Sequence, residues 1–279
     1  MRLSYSTLAC PQWDWQRAIE VAHALRYDGI EWRLVDGQMI DADFPPSQAE
    51  EIGAAVADYG LGVPALDTSI QLTIPPGARR DATVHDVRRY LVLAERFGAS
   101  FLRVFAGTYG QEVEDALAQD WTQDVLRALA PDLDGTSVRL AVELHDCGWN
   151  RAGIRGVTSS DFVTHLIDAV GPKNAGVQWD VGNSIAEGEA PEVTWSKIAP
   201  FITYLQLKDM SKGADGTWTY VPVGEGELPL ADILDLVRGS GFSGWVSFEW
   251  EKWWHPEIAE ADDVLPGFVA YVRSYLAER

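Results

Sequence analysis

Val138 to His145 reads VRLAVELH, an alternating apolar run that ends in Glu143 and His145. Side chains two apart on a strand share a face, so a strand here delivers both polar groups at one end. A carboxylate on an apolar strand is costly to bury unless its charge is compensated. Three later stretches repeat the pattern. Gly176 to Asp180 (GVQWD) closes on Asp180, Phe201 to Asp209 (FITYLQLKD) carries Gln206 and Lys208, and Gly244 to Glu251 (GWVSFEWE) carries Glu249 and Glu251. Three acids and an amide oxygen, supplied by four strand ends, form a donor set suited to a hard divalent cation.

The rest of the chain falls into about eight strand–helix units. The pattern predicts strands at Leu3 to Leu8, Ile30 to Val35, Gly62 to Leu66, Phe101 to Phe105, Val138 to Leu144, Ala175 to Trp179, Phe201 to Leu207 and Trp245 to Phe248. Between them, helical spacing or caps predict helices over Asp14 to Leu25, Ser47 to Tyr59, Asp81 to Phe97, Glu112 to Leu129 (stopped by Pro131), Ser159 to Val170, Pro191 to Ile198, Leu230 to Val237 and Asp262 to Leu276. Asp67 to Arg80 reads as a long loop, and Ser211 to Glu227 as an irregular excursion with a small hairpin at Asp215-Gly216. At 279 residues with no composition break, this is the alternation and length of a single (β/α)8 barrel of the α/β class, occupying residues 1–279. A doubly wound sheet would place a glycine-rich phosphate turn after its first strand, and Leu8-Ala9-Cys10-Pro11 is no such turn. In a barrel the C-terminal strand ends share one mouth, so Glu143, Asp180, Gln206 and Glu249 surround one point.

Composition narrows the partners. A net charge of −20 disfavours nucleic acid and anionic membranes, which need clustered Lys and Arg. No stretch approaches the roughly 20 apolar residues of a membrane span. MRLSYSTLAC lacks the apolar core of a signal peptide, and Cys10 and Cys147 read as reduced thiols, so a cytoplasmic protein is expected.

Several motifs resemble the xylose isomerase-like barrel superfamily, in the branch called sugar phosphate isomerases/epimerases. They are Gly29-Ile30-Glu31 with Arg33, Leu102-Arg103-Val104-Phe105-Ala106-Gly107, Val142-Glu143-Leu144-His145, Trp179-Asp180-Val181-Gly182-Asn183, Leu207-Lys208-Asp209, Val223-Gly224-Glu225-Gly226 and Phe248-Glu249. They run from the second strand to the eighth, and together they point to the superfamily without pointing to a substrate. The resemblance implies one divalent cation held by Glu143, Asp180, the position of Gln206, and Glu249. Two positions depart from the family pattern: Gln206 stands where a metal-binding His is usual, and Asn183 where a His often follows the Asp. Gln at that position is similar to some bacterial 3-dehydroshikimate dehydratases of this fold. A neutral carbonyl oxygen favours Mg²⁺ or Mn²⁺ over Zn²⁺, and members of the family also use Co²⁺.

The resemblance implies an isomerase or epimerase of a ketose or polyol ketone. Glu143 and Glu249 would move the proton next to a metal-bound carbonyl through an enediolate, with His145 as a further base and Lys208 or Arg103 on the substrate oxygen. Glu31, Arg33 and Asn183 are further candidate contacts. Trp13, Trp32, Trp253 and Trp254 would supply a sugar-stacking wall, and His255 a closing group. The same scaffold admits a dehydratase of a cyclic hydroxyketone, with His145 as base, or a non-catalytic sugar-binding barrel. A DNA-repair endonuclease of the superfamily would need several His and a basic face, which five His and the acidic balance do not supply. Val223-Gly224-Glu225-Gly226-Glu227 is acidic and makes a poor phosphate cradle, so an unphosphorylated sugar or cyclic polyol is expected. By analogy with related barrels, a homodimer or homotetramer is expected.

Overall fold

The computed structural model describes residues 1–110, 112–145 and 157–277. Eight parallel strands form one sheet: β1 Arg2–Ser6, β2 Gly29–Glu31, β3 Val63–Gln71, β4 Ala99–Phe105, β5 Arg139–Glu143, β6 Ala175–Asp180, β7 Ile202–Leu207 and β8 Trp245–Phe248. Their order is β2-β1-β8-β7-β6-β5-β4-β3. The ring is completed between its two ends by bridges Gly29 to Gly62 and Trp32 to Leu66, and by Ile30 N–H donating to Gly62 O at 3.0 Å. This is a TIM barrel, as the strand–helix alternation predicts.

Helices α1 Trp15–Ala24, α2 Pro46–Asp58, α3 Ala78–Phe97, α4 Asp115–Asp134 and α5 Ser159–Val170 lie between the early strands. Then come α6 Val181–Ala186, α7 Pro191–Ile198, α8 Leu230–Gly239 and α9 Ala261–Ala277. Local chemistry sets many of their ends. Asp14 caps α1 through Arg17 N–H at 2.8 Å, Gly98 closes α3 in the left-handed region at φ 73°, and Thr158 with Asp161 forms a capping box on α5.

Period-two alternation stacks the barrel interior in layers. Ala65, Phe101, Ala141, Tyr204 and Trp245 form an apolar floor, with the Phe101 and Tyr204 rings stacked at 5.8 Å. Two residues further along the same strands stand Asp67, Arg103, Glu143, Gln206 and Ser247, and the interior becomes polar. The Trp245 indole lies against the backbone where β2 meets β3. A Cβ on Gly29 would sit 2.3 Å from Gly62 O and 2.7 Å from the Trp245 ring.

Several boundaries differ from the sequence expectations, and some have a visible cause. The second strand stops at Glu31, because the N–H groups of Arg33 and Leu34 both donate to Thr7 Oγ1 and turn the chain. Leu34–Val35 then pairs with Gln38–Met39 through a tight turn with Asp36 and Gly37 at positive φ. The third strand runs on to Gln71, drawing Asp67, Ser69 and Gln71 out of the expected loop and onto β3. Pro131 lies inside α4, because Leu129 and Leu133, both buried, hold the last turn against the core. A short helix, α6, follows Asp180, whose carboxylate caps it. The expected hairpin at Asp215-Gly216 forms between Asp209–Lys212 and Trp218–Val221. Cys10 is a buried free thiol; Cys147 lies outside the described residues. No helix among the described residues is long and apolar enough to cross a membrane.

Because the Gly29 Cβ position is filled by backbone oxygen and the Trp245 ring, Gly29→Ala should destabilise the barrel by about 1–3 kcal/mol. Urea unfolding of the variant beside the wild type measures this. Unchanged stability would mean that the β2–β3 junction is not close-packed around Trp245.

Candidate functional site

The C-terminal ends of the strands surround a cavity of about 450 Å³, within the range of small-ligand pockets. Its lining comes from both sides of the barrel. The first half of the chain supplies Leu8, Arg33, Ser69, Gln71, Arg103, Phe105, Gly107 and Thr108; the second half supplies Glu143, His145, Glu249, Glu251 and Trp254.

Three of the sequence-predicted acids meet here. One carboxylate oxygen each from Glu143, Asp180 and Glu249 lies within 4.8 Å of the others, and all three residues are buried. At an effective dielectric near 20, two unit charges that far apart repel by about 3.5 kcal/mol, so the cluster depends on nearby positive charge. Lys208 Nζ supplies part of it, 2.7 Å from Asp180 Oδ2, 2.6 Å from Glu249 Oε2 and 3.0 Å from Glu251 Oε1. Arg103 Nε lies 3.2 Å from Glu143 Oε2 and 3.6 Å from Asp67 Oδ1.

Asn183 orients two of the acids. Its backbone N–H donates to Asp180 Oδ1 at 3.0 Å and its side-chain Nδ2 to Glu143 Oε1 at 3.2 Å. The other oxygens, Glu143 Oε2 and Asp180 Oδ2, join Glu249 Oε2 as buried atoms without a hydrogen bond. These three oxygens converge beside a cavity and meet only the Arg103 or Lys208 cation, so each keeps a lone pair and together they are a chemical fit for a divalent cation.

Gln206 is fully buried beneath this group. Its Nε2 donates to Glu31 Oε1 at 3.0 Å, and its Oε1 accepts from Gln178 Nε2 at 2.7 Å. A carbonyl oxygen has two lone pairs, so one remains on Gln206 Oε1 for a further contact.

Burial dominates the titration of the cluster. It pushes Glu143 up to about 8, against the opposing pull of Arg103. It also raises Asp180 and Glu249, although Lys208 draws both down. Burial works against the Lys208 charge as well, but Asp180 and Glu249 outweigh it and hold the ammonium well above its usual range. Glu251 ends below the usual carboxylate range, because Lys208 and the Tyr220 hydroxyl, 2.6 Å away, overcome its burial.

His145 and Arg103 also reach the cavity as expected from sequence, His145 edge-on to Phe105 at 4.9 Å. Five other candidates stand off its lining. Glu31 sits below it, accepting from Tyr204 Oη at 2.7 Å. Lys208 is 1% exposed and spent on carboxylates. Asn183 lies behind Glu143. Trp13 packs beneath the Arg17 guanidinium on the outer core, because its chain turns into α1 rather than over the mouth. His255 turns outward to Glu257, its ring tilted against Tyr220 with centroids 5.0 Å apart. Of the expected tryptophan wall, Trp254 alone lines the cavity, 56% exposed; Trp32 is buried against Phe97.

Ser69 and Gln71 also line the cavity; the alternation Asp67, Ser69, Gln71 is their signal in the sequence, hidden in an expected loop. Glu251, which the sequence sets two residues beyond Glu249 on the last strand end, lines it too. In the glycine-rich loop, the N–H groups of Gly224, Gly226 and Leu228 all donate to the Asp209 carboxylate. These amides are committed within the chain.

A profile of the family described as xylose isomerase-like TIM barrel matches residues 19–266. The L-ribulose-5-phosphate 3-epimerase UlaE of Salmonella typhi is 21% identical over 240 residues, spanning 82% of this chain and 80% of that protein. Among solved structures, the probable 3-DHS dehydratase AsbF of Bacillus anthracis superposes with a TM-score of 0.75 at 17% identity, over 98% of this chain and 99% of that one. The IOLI protein with a bound zinc atom superposes with a TM-score of 0.77 at 15% identity, over 100% and 97%.

Acids raised by burial hold protons in the folded chain that the unfolded chain has already released. Folding stability of chelator-treated protein should therefore fall as pH rises from about 5 to 8, the interval between an ordinary carboxylate and Glu143. Glu143→Gln should flatten that slope. Urea titrations across the interval test this, and a stability that rises with pH would contradict it.

Proposed function

The chain belongs to the xylose isomerase-like TIM barrel family, and on that footing we propose that it is a divalent-cation-dependent isomerase or epimerase of a small ketose or polyol ketone. The observation that carries this is the convergence of Glu143, Asp180 and Glu249 beside the cavity, each with one buried oxygen outside any hydrogen bond and met only by Arg103 or Lys208. Glu143, Asp180 and Glu249 would hold the cation, with Gln206 Oε1 as the fourth donor. Mg²⁺ or Mn²⁺ suits this oxygen-only set. Once bound, the ion supplies Lewis-acid polarisation of a substrate carbonyl.

The chain's own groups do the rest. Glu143 and Glu249 line the cavity on different strands, so a substrate between them presents one carbon to two carboxylates. One takes the proton next to the carbonyl. The other returns a proton to the same carbon from the other face, which inverts it, or to the former carbonyl carbon while the neighbouring hydroxyl gives up its proton to the former carbonyl oxygen, which shifts the carbonyl. Arg103 stands beside Glu143 and faces the negative charge that develops on the substrate oxygen. Lys208 holds Asp180, Glu249 and Glu251 in place as their shared counter-ion. Asn183 keeps Glu143 and Asp180 aimed inward. Leu8, Phe105 and Trp254 supply apolar surface to the cavity lining.

A second possibility has its own observation. His145 reaches the same cavity two residues beyond Glu143, placing a second base close to the acids. Abstraction by His145 followed by loss of a β-hydroxyl would make the enzyme a dehydratase of a cyclic hydroxyketone.

The two chemistries separate in one experiment. Mg²⁺- or Mn²⁺-loaded protein is offered ketoses and, separately, 3-dehydroshikimate, and products are followed by NMR in D₂O. An isomerase or epimerase exchanges substrate hydrogen for deuterium without loss of water; a dehydratase gives the unsaturated product. Glu249→Gln should lower turnover by about 10²–10⁴-fold with the fold intact. Asp180→Asn should lower cation affinity in a chelator competition. Full activity in Glu249→Gln would remove Glu249 from the proton-transfer pair.

A further inference from the structure

The cations at the mouth are not all matched. Lys208 is paired with Asp180, Glu249 and Glu251, and Arg103 with Glu143 and Asp67. Arg33 lines the same cavity, is 4% exposed, and forms no ion pair with any carboxylate among the described residues. Its NH1 donates to the Asp67 backbone carbonyl at 3.2 Å and its NH2 to Ser69 Oγ at 2.6 Å. These bonds fix the plane of the guanidinium, and three of its five N–H donors remain. A guanidinium withdrawn from water without a counter-charge is costly. Burial and the neighbouring Arg103 push Arg33 down to about 10, so both facts favour a negative group arriving beside it.

Its place in the barrel gives that group a direction. Arg33, Ser69 and Gln71 belong to the β2–β3 side of the cavity, and Glu143, Glu249 and Glu251 to the β5 and β8 side. A ligand with a negative group at the first side presents the remainder of its carbon skeleton to the acids at the second.

We propose that Arg33 receives a carboxylate of the substrate, so that the substrate is a polyhydroxylated keto acid rather than a neutral sugar. This rests on the isomerase or dehydratase function proposed above and narrows its substrate class. A planar guanidinium fork matches a carboxylate through two parallel N–H···O bonds. Charge count favours carboxylate over phosphate. Asp67, Glu143, Asp180, Glu249 and Glu251 outnumber Lys208, Arg103 and Arg33 here, so a monoanion meets less repulsion than a phosphate monoester, which carries about −1.5 to −2 near neutrality. The loop amides that would otherwise cradle a phosphate are taken by Asp209. Serine and glutamine at Ser69 and Gln71 add neutral polar contacts beside the fork.

Three matched four-carbon probes test this by calorimetry on Mg²⁺-loaded protein: D-erythronate, erythritol and erythritol 4-phosphate. Wild type should bind erythronate at least about tenfold more tightly than either of the others, a difference of ~1.4 kcal/mol. Arg33→Gln should erase that preference, and Arg33→Lys, which keeps the charge but loses the fork, should retain part of it. Mg²⁺ affinity, measured by chelator competition, should be unchanged in both variants. Equal binding of erythronate and erythritol, tighter binding of the phosphate, or a preference that survives in Arg33→Gln would each overturn the proposal. Failure of the cation-dependent function would show differently, as loss of Mg²⁺ binding or of hydrogen exchange with the carboxylate preference intact.

Discussion

Buried carboxylates of like charge need compensation within contact distance, and most of the barrel mouth is arranged around that need. Lys208 reaches three acids from a position that is itself 1% exposed, and Arg103 bridges toward Glu143 and Asp67. Neither cation completes the hydrogen bonding of the cluster. One oxygen on each of Glu143, Asp180 and Glu249 meets a cation without a hydrogen bond, and the acids outnumber the two cations, so coordination capacity is kept. That combination is costly for an apolar core and sensible only at a place where a further positive group arrives.

The compensation works because the strands are parallel and in register. Asp180 stands opposite Gln206 on β7, and Gln206 opposite Ser247 on β8. Residues two steps along a strand rise together from an apolar floor of Phe101, Tyr204 and Trp245 to a polar layer and then to the mouth. The polar layer is more than packing. Tyr204 and Gln206 both donate to Glu31 Oε1, so a fully buried acid in the second strand holds the amide of the seventh. Burial and the neighbouring Asp67 raise Glu31 well above the usual carboxylate range.

Most of the candidate site was legible in the sequence because its signal is local. An acid at the end of an alternating apolar strand stands out, and Glu143, Asp180 and Glu249 were all of that kind. Ser69 and Gln71 were hidden by the Asp67-to-Arg80 stretch, whose Pro75-Pro76-Gly77 reads as loop; strand β3 continues into it because β4 is there to pair with. Arg33 was legible as a candidate contact, but the turn that carries it was not. The expected strand runs on to Val35, whereas the observed one ends at Glu31, and Thr7 Oγ1, distant in sequence, turns the backbone there.

By itself, then, the sequence determined the strand–helix alternation, the barrel class and the acids that gather at its mouth. These follow from hydrophobic periodicity and from the cost of burying charge, both written in neighbouring residues. The tertiary structure alone decided which polar groups pair with which. Lys208 went to the acids rather than the cavity, Trp13 and His255 turned away, Gln206 bonded to Glu31 and Gln178, and Arg33 was left with no carboxylate among the described residues. Pairing depends on distances between residues far apart in the chain, and no local pattern encodes those distances before the ring of strands has closed.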